Sequence, residues 1–366
     1  MATSPHVQKR SFPLTVFPVP KYLSPPVVGL DISDHAIRFV EMVRSRRGPR
    51  LGRYGRVELE HGLVIDGEIQ DEAKLVAILQ EIRRKYRLGV VYGSLPTEHA
   101  YYFRLSVPGT SIPPKEVRNV IEFKLEESVP VSPQEAVFDY MFIEERSDTT
   151  DVAVAVMQRK IVEQYIAVLS HAGMAAWMLE VEPEALACAV VPKGDKNTSM
   201  IVDLGEFKTI IAIVSGQAVL FTAVVEAASD ALTTAIEKKL AISHRKAESL
   251  KKESGFQNTE ENKNIYEILA TGVSALRDEL VKHADYWSQR SNADGSKNVP
   301  IQHVYLCGGG ANLKGLPAYL SSALHTEVSL ANVWVNAFGI HDHIPTISFE
   351  ESLSFVTAVG LALARA

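Results

Sequence analysis

Acidic residues and glycines follow apolar stretches at three places along the chain, as in turns that leave a buried strand. The three motifs are Asp31-Ile32-Ser33-Asp34, Asp203-Leu204-Gly205 with Thr209 shortly after, and Gly308-Gly309-Gly310. Turns of this kind present backbone N–H groups to phosphate oxygens, and glycine permits the close approach. Carboxylates at strand ends suit Mg²⁺, which keeps part of its water shell when it binds phosphates. Each motif alone is common, but their order on repeated units predicts one site for a phosphorylated ligand and a metal ion.

The first acidic motif is expected at the end of the first strand of a β-meander. Residues 27–32 form a short apolar run typical of a buried strand, residues 37–43 alternate as a second strand, and a third is predicted near residues 51–59. Asp71 is predicted to cap a helix whose apolar residues are three and four positions apart. A strand near residues 90–94 then returns the chain to the sheet.

A similar unit recurs about 170 residues later in the chain. Residues 200–205 again form an apolar strand that ends in an aspartate, residues 209–214 and 218–224 are its predicted partners, and Ser229 is expected to begin a helix. A repeat of this kind predicts two similar α/β halves. Ligands preferentially bind in the cleft between such halves, so the strand-end motifs are expected to meet there.

A segment of different character separates the two units. Pro113 and Pro114 are expected to begin a helix, where proline is tolerated in the first turn, and paired strands are predicted at residues 137–143 and 152–157, joined by a turn over 144–151. The predicted divisions are a proline-rich arm 1–26, a first lobe 27–95, an α+β insertion 96–159, linker helices 160–195 that complete the first lobe, and a second lobe 196–366 with a helical subdomain at about 229–300.

Composition restricts the class of protein. The 366 residues are 46% hydrophobic and 22% charged, with a formal net charge of −6. This balance is ordinary for a soluble globular protein and opposes nucleic acid as the main partner, which requires a basic face. Cys188 and Cys307 lie far apart without metal-ligand spacing, so neither a disulfide framework nor a zinc site is expected. The absence of a long apolar run and of a signal peptide predicts a cytoplasmic protein that meets the membrane only through a partner.

Taken in order, the motifs resemble the actin, Hsp70 and sugar-kinase superfamily, whose two RNase H-like lobes surround a nucleotide cleft. The insertion is similar to the SHS2-like subdomain of the FtsA and PilM families. Several stretches resemble the type IV pilus assembly PilM family, and the likeness extends over residues 27–364: Ile121-Glu122-Phe123-Lys124-Leu125-Glu126, Leu179-Glu180-Val181-Glu182-Pro183-Glu184, Ala247-Glu248-Ser249-Leu250-Lys251 and Ala358-Val359-Gly360-Leu361. The resemblance implies an actin-like α/β fold with an inserted α+β subdomain in the first lobe.

The resemblance also implies ATP between the lobes, with Asp31 and Asp203 holding Mg²⁺ through its water shell. The residues implied around the nucleotide are Ser33, Asp34, Gly205 and Thr209 for the phosphates, Glu248 and Lys251 for the ribose or adenine, and Gly308, Gly309 and Gly310 for the nucleoside. Glu248 and Lys251 have a second interpretation, because residues three apart among other charges commonly form a solvated helix face.

The first loop departs from the family pattern Asp-x-Gly-Ser/Thr. Ser33 stands where glycine is usual, which restricts the backbone, and Asp34 adds a negative charge near the phosphates. Nucleotide binding with weak or absent ATPase activity is therefore expected. Glu182 has two open roles. It could position an attacking water as a catalytic residue, or stabilise a helix N-terminus beside Pro183.

The resemblance implies a scaffold that receives the cytoplasmic N-terminal peptide of a PilN-type inner-membrane protein beside the insertion, and that could also self-associate. An FtsA-like cell-division protein and a small-metabolite kinase of the same superfamily are the alternatives. FtsA proteins usually end in an amphipathic membrane helix, and no such helix is evident here. A basic cluster has two interpretations, a solvated hairpin loop or an anion-binding patch: Arg44, Arg46, Arg47, Arg50, Arg53 and Arg56.

Overall fold

Two five-stranded sheets organise the computed structural model, which describes residues 27–45, 48–290, 297–339 and 341–364. The first sheet contains strands β1 (Val27–Ile32), β2 (Ala36–Ser45), β3 (Gly48–Glu58), β6 (Val90–Leu95) and β10 (Ala175–Val181). The second contains β11 (Thr198–Leu204), β12 (Thr209–Ser215), β13 (Ala218–Val225), β14 (His303–Cys307) and β15 (Glu327–Leu330). The predicted arm 1–26, together with Arg46 and Arg47, lies outside the described residues.

The two sheets have the same topology. In the first, the order is β3-β2-β1-β6-β10, and in the second it is β13-β12-β11-β14-β15. Each begins with an antiparallel meander, and each continues with two parallel strands on the other side of its first strand. The predicted repeat is therefore confirmed, and it places Asp31 and Asp203 near the ends of equivalent central strands.

Helices cover the sheets and join them. The first part of the chain has α1 (Glu72–Tyr86), α2 (Pro114–Ser128), α3 (Arg159–His171) and α4 (Glu182–Val190), and the second has α5 (Ser229–Leu240), α6 (His244–Ser254), α7 (Lys263–Gln289), α8 (Leu316–Leu324), α9 (Phe349–Ser352) and α10 (Val356–Leu363). Asp71 caps α1 as predicted, since its carboxylate accepts the backbone N–H of Lys74 at 2.9 Å. The apolar face of α1 is buried, together with that of α3, beside the first sheet.

The predicted insertion contains a separate three-stranded sheet, with strands β7 (Ala100–Pro108), β8 (Ala136–Glu145) and β9 (Thr149–Gln158) in the order β7-β9-β8. Helix α2 begins at Pro114 and buries Val117, Ile121 and Leu125 in a core of its own with this sheet. The turn between β8 and β9 is shorter than predicted, because strand pairing continues as far as Glu145 and Thr150. A small hairpin, β4 (Val64–Ile65) and β5 (Glu68–Ile69), lies before α1.

One segment needs a correction. Residues 160–195 were predicted as linker helices that complete the first lobe, and no strand was predicted there, but β10 lies between α3 and α4 and pairs in parallel with β6. The apolar positions of this strand are partly exposed because it forms the sheet edge, and its sequence therefore lacks the continuous burial pattern of a central strand.

Helices α4 and α10 pack closely where the two lobes join. A methyl group on Gly360 would lie 1.8 Å from the carbonyl oxygen of Ala185, and one on Gly29 would lie 1.9 Å from that of Ala358. Glycine is therefore required at both crossings. Because α10 also packs against β1, these contacts fix the strand that carries Asp31.

Cys188 and Cys307 are both free thiols. Among the described residues, no helix has the length and apolar character needed to cross a membrane.

Candidate functional site

A cleft of about 1320 Å³ lies between the two sheets at the ends of their central strands. It gathers nearly every residue that the sequence predicted for the site, from both halves of the chain: Asp31, Ser33, Asp34, Glu182, Asp203, Gly205, Glu248, Lys251, Gly308, Gly309 and Gly310. Asp31 and Asp203 thus face one shared cleft, as an arrangement of two lobes around a single ligand requires.

The two strand-end aspartates influence each other. The hydroxyl of Ser94 donates to Asp31 Oδ1 at 2.9 Å, and Arg38 Nη1 lies 3.7 Å from Asp31 Oδ2. Burial raises the pKa of Asp31 above its usual value, although Arg38 and Ser94 act in the opposite direction. Burial, and then the negative charge of Asp31, raise the pKa of Asp203 to about 6. A cation placed between the two carboxylates would therefore be stabilised.

The first loop is held by its own side chains. The Ser33 hydroxyl donates to the carbonyl oxygen of Ala36 at 2.9 Å, which closes the turn between β1 and β2. The Asp34 carboxylate accepts the backbone N–H groups of Asp66 and Gly67 at 3.2 and 3.0 Å. Asp34 lines the cleft as predicted, but its oxygens accept hydrogen bonds from the β4–β5 hairpin. These bonds stabilise the negative charge of the carboxylate.

The second loop is a tight turn that requires its glycine. A methyl group on Gly205 would lie 2.6 Å from the carbonyl oxygen of Lys208. Thr209 differs from the expectation, because it is fully buried, its hydroxyl donates to the carbonyl oxygen of Ala227 at 2.5 Å, and it is not part of the cleft lining. The side chain one position earlier, Lys208, enters the cleft instead. Side chains alternate along an extended chain, so adjacent residues point to opposite faces.

The three glycines have different roles. Gly308 has φ +80°, and a methyl group there would lie 2.3 Å from Asp203 Oδ1. A methyl group on Gly310 would lie 2.6 Å from the Leu204 side chain, whereas the nearest atom to one on Gly309 is 4.0 Å away. Gly308 and Gly310 therefore permit close packing against the second loop, and Gly309 leaves open space in the cleft.

Glu248 and Lys251 on α6 do not share one environment. Lys251 is only 8% exposed, and its ammonium donates to Ser229 Oγ at 2.7 Å and to Thr233 Oγ1 at 2.6 Å. Burial lowers its pKa to about 8. Glu248 is more exposed and forms an ion pair with Lys252 at 2.6 Å. The solvated-face interpretation therefore describes Glu248 and is wrong for Lys251, whose position is fixed by α5.

Glu182 begins α4 and is 5% exposed. Its Oε2 atom accepts both the backbone N–H and the hydroxyl of Thr97, at 3.2 and 2.8 Å. Burial is the main cause that raises its pKa to about 8, and the charges of Glu98 and Asp31 add to it while Lys208 opposes it. The side chain therefore lines the cleft, in the first turn of a helix, with one oxygen already engaged by Thr97.

Several cleft residues were not predicted, because their partners are distant in sequence. Lys208, from the second loop, forms an ion pair with Glu98 of the first lobe. Burial acts to lower the pKa of Lys208, but the charges of Glu182 and Glu98 outweigh it and raise the pKa above its usual value. The rings of His35 and Phe207, one from each loop, have centroids 3.7 Å apart. These contacts hold the two lobes together across the cleft.

The arginine cluster on β2 and β3 is not simply a solvated loop. Arg53 donates to both carboxylate oxygens of Glu41, a residue that is 4% exposed. Arg56 lies 3.5 Å from Glu206 of the second loop. The described part of the cluster therefore includes an ion pair with a buried carboxylate and a contact at the cleft.

The donors at this site fit a nucleotide and a metal ion that is held mainly through water. Within the described residues, no group of three or more His, Cys, Asp or Glu side chains could hold a metal ion directly. Asp31 and Asp203 share the cleft with an open glycine turn, however, and Mg²⁺ commonly combines one or two carboxylates with waters and phosphate oxygens.

Two lobes of equal topology, each with a strand-end aspartate facing the shared cleft, define the fold as that of the actin-like ATPases. The sequence profile of the type IV pilus assembly protein PilM family matches residues 29–366. The chain belongs to this family.

Solved structures agree with the fold. A chain of the PilM-PilN type IV pilus biogenesis complex is 22% identical with a TM-score of 0.73, and the match covers 92% of this chain and 98% of that chain. Ethanolamine utilization protein EutJ from Carboxydothermus hydrogenoformans is 17% identical with a TM-score of 0.55, covering 93% and 89%. MreB 5 of Spiroplasma citri bound to AMPPNP is 12% identical with a TM-score of 0.54, covering 93% and 96%.

Proposed function

We propose that this chain is a cytoplasmic nucleotide-binding scaffold of type IV pilus assembly. The observation that carries the nucleotide role is the shared cleft, where Asp31, Asp203 and the turn at Gly308–Gly310 meet. The AMPPNP-bound MreB 5 structure, which has the same fold, supports a nucleotide as the ligand. The family match favours pilus assembly over the cell-division alternative.

In this proposal the phosphates lie against the first and second loops, near Ser33 and Gly205. The nucleoside lies beside Gly309, where the cleft is open, with Lys251 and Glu248 at its edge. Asp203, with Asp31, would hold Mg²⁺ through water. When bound, the ion supplies positive charge that offsets the phosphates and the acidic side chains of the cleft.

The proposed ATPase activity is weak or absent. One oxygen of Glu182 accepts two bonds from Thr97, and burial favours its protonated form near neutral pH. A protonated carboxyl group cannot act as a base toward water. Ser33 further restricts the first loop, because it lacks the conformational freedom of glycine. The nucleotide would then stabilise one arrangement of the lobes more than it serves as a substrate.

A fluorescent ATP analogue titrated in the presence of Mg²⁺ tests the nucleotide role. We expect saturable binding by the parent chain and at least a tenfold loss of affinity for Asp203→Asn, which keeps the side-chain shape and removes the charge. Asp285→Asn is the matched control, because Asp285 is exposed on α7 and outside the cleft. Equal affinities of the parent and Asp203→Asn would contradict the proposed site, and no binding by the parent would remove the nucleotide role.

The proposed partner is the N-terminal cytoplasmic peptide of a PilN-type inner-membrane protein. The PilM-PilN complex, which contains a chain of this fold, supports such a partner. We assign the contact to the three-stranded subdomain, which exposes apolar side chains, among them Phe123, Met141 and Phe142. An extended peptide could order on such a preformed surface. The chain would then reach the membrane through this partner.

Excision of the subdomain provides a direct test. Ala100 on β7 is paired with Met157 on β9, so their Cα atoms are about 5 Å apart. Residues 100–157 can therefore be replaced by a short Gly-Ser link. We expect the parent chain to bind a labelled PilN-type peptide in the micromolar range or tighter, and the shortened chain to bind the ATP analogue but not the peptide. Peptide binding by the shortened chain would place the contact elsewhere.

A further inference from the structure

The short turn between β6 and β7 is bonded to several side chains that line the cleft. This entry turn, residues 96–99, leads directly into the three-stranded subdomain. Glu182 accepts both hydrogen bonds from Thr97, and Lys208 pairs with Glu98. Every one of these contacts joins a residue of the entry turn to a residue that lines the cleft.

The first loop reaches the same turn through the β4–β5 hairpin. Asp34 holds the backbone of Asp66 and Gly67, and the Asp66 carbonyl oxygen accepts a hydrogen bond from His99 Nε2 at 3.0 Å. Gly67 packs against Pro96, since a methyl group on Gly67 would lie 2.1 Å from the Pro96 Cβ atom. The second loop therefore contacts the entry turn directly through Lys208, and the first loop is linked to it through the hairpin.

The ion pair of Lys208 with Glu98 has little solvent around it. The side chains are 21% and 13% exposed. Glu98 Oε2 is buried and has no hydrogen-bond partner within the described part of the chain. If Lys208 turned toward another anion, the Glu98 carboxylate would be left partly buried without its counter-charge, an arrangement that is strongly unfavourable. The entry turn would then have to move so that Glu98 reaches water.

We infer that the entry turn couples the nucleotide cleft to the three-stranded subdomain, with Lys208 as the group that responds to the ligand. A phosphate group in the cleft competes with Glu98 for the ammonium of Lys208, and the release of Glu98 shifts the start of β7. This coupling rests on the proposed nucleotide function and adds the regulation of the partner-binding subdomain to it.

Helix α4 provides the fixed reference for this movement. Glu182 at its start accepts a hydrogen bond from the hydroxyl of Thr97. Glu184, two residues later on the same helix, accepts a hydrogen bond of 2.6 Å from the hydroxyl of Tyr102 on β7. The helix is anchored by its close packing against α10. A displacement of the entry turn therefore changes the position of β7 relative to α4. By linkage, a partner that prefers one position of β7 would change nucleotide affinity by the same factor.

Hydrogen–deuterium exchange of the full chain, with and without saturating ATP and Mg²⁺, tests the coupling. The Thr97 amide reports on the turn directly, because it donates to Glu182, and the amides of β7 report on the subdomain. In the parent we expect ATP to change exchange across residues 97–108 by at least about fivefold, the lower end of typical allosteric effects. In Lys208→Met this response should fall below about twofold.

Glu98→Gln separates coupling from binding, because it leaves Lys208 in place and keeps the side-chain shape. We expect this variant to bind ATP at least as tightly as the parent and to lack the exchange response. Glu163→Gln, on the exposed face of α3, is the matched control and should respond as the parent does. A parent that binds ATP without a change over 97–108, or a Glu98→Gln variant with the parent's response, would overturn the coupling alone. Failure of the parent to bind ATP would overturn the proposed nucleotide role as well.

Discussion

The buried carboxyl group of Glu182 makes the stability of the fold depend on pH in a predictable direction. Its pKa is about 8 in the folded chain, against a reference value of 4.5. Between these values the folded state holds a proton that the unfolded state has lost, so stability falls as pH rises. Each pH unit in this window corresponds to about 1.4 kcal/mol, which sets a ceiling of about 5 kcal/mol by pH 8.

Glu182→Gln should remove this dependence, because glutamine resembles the protonated acid and its carbonyl oxygen can accept both bonds from Thr97. We expect the parent and the variant to have similar stability at pH 5. At pH 8.5 the variant should be more stable than the parent by several kcal/mol, up to this ceiling, which already includes the opposing charge of Lys208 because that charge is one of the causes of the pKa of Glu182.

Urea denaturation followed by circular dichroism at several pH values between 5 and 8.5 measures this difference. Subtracting the variant's unfolding free energy from the parent's isolates Glu182 from the other groups that titrate in the same range. Glu81→Gln, at an exposed position on α1, is the matched control for the loss of a carboxyl group. A constant difference between the parent and Glu182→Gln across the whole range would refute the assignment of a protonated Glu182.

Three further substitutions test the packing around the cleft and the first sheet. Gly308→Ala should reduce the unfolding free energy by about 2 kcal/mol or more and weaken binding of the ATP analogue, because the added methyl group lies at positive φ and would meet Asp203. Gly309→Ala, where the methyl group has open space, should melt within a few degrees of the parent in a thermal scan. Arg53→Met should lower the urea-derived unfolding free energy by about 2 kcal/mol, since it removes the counter-charge of the buried Glu41 carboxylate and leaves the backbone N–H of residue 53 as its remaining donor. A loss below about 1 kcal/mol, as expected for an exposed pair, would contradict this.

Much of the architecture could be predicted because its signals are local. The apolar runs that end in Asp31 and Asp203, the cap at Asp71 and the proline at the start of α2 each depend on neighbouring residues only. The repeat then supplied the long-range information, since two units of the same kind were expected to form equivalent sheets. The equal strand orders confirm that inference.

The parts of the site that the sequence did not predict depend on contacts between distant segments. Lys208 lies within a motif that was recognised, but its partner Glu98 is 110 residues away in the chain. Thr97 and Glu182 are separated by 85 residues. A sequence pattern reveals which residue types are present, but it does not reveal which buried charges meet after folding. The misplacement of Thr209 has a different cause, since a shift of one position along a strand reverses the direction of a side chain.

The contacts of the cleft are consistent with the proposed role, nucleotide binding with weak or absent hydrolysis. Glu182 is held by Thr97, and Lys208 is paired with Glu98, so both ionisable cleft side chains that contact the entry turn already have partners in the first lobe. In the proposed coupling, a ligand that draws Lys208 away from Glu98 would change the entry turn before any chemistry occurs. The binding energy of the nucleotide is then available to select one position of the three-stranded subdomain, and slow hydrolysis would prolong that state. These contacts suit a ligand that controls assembly by its presence.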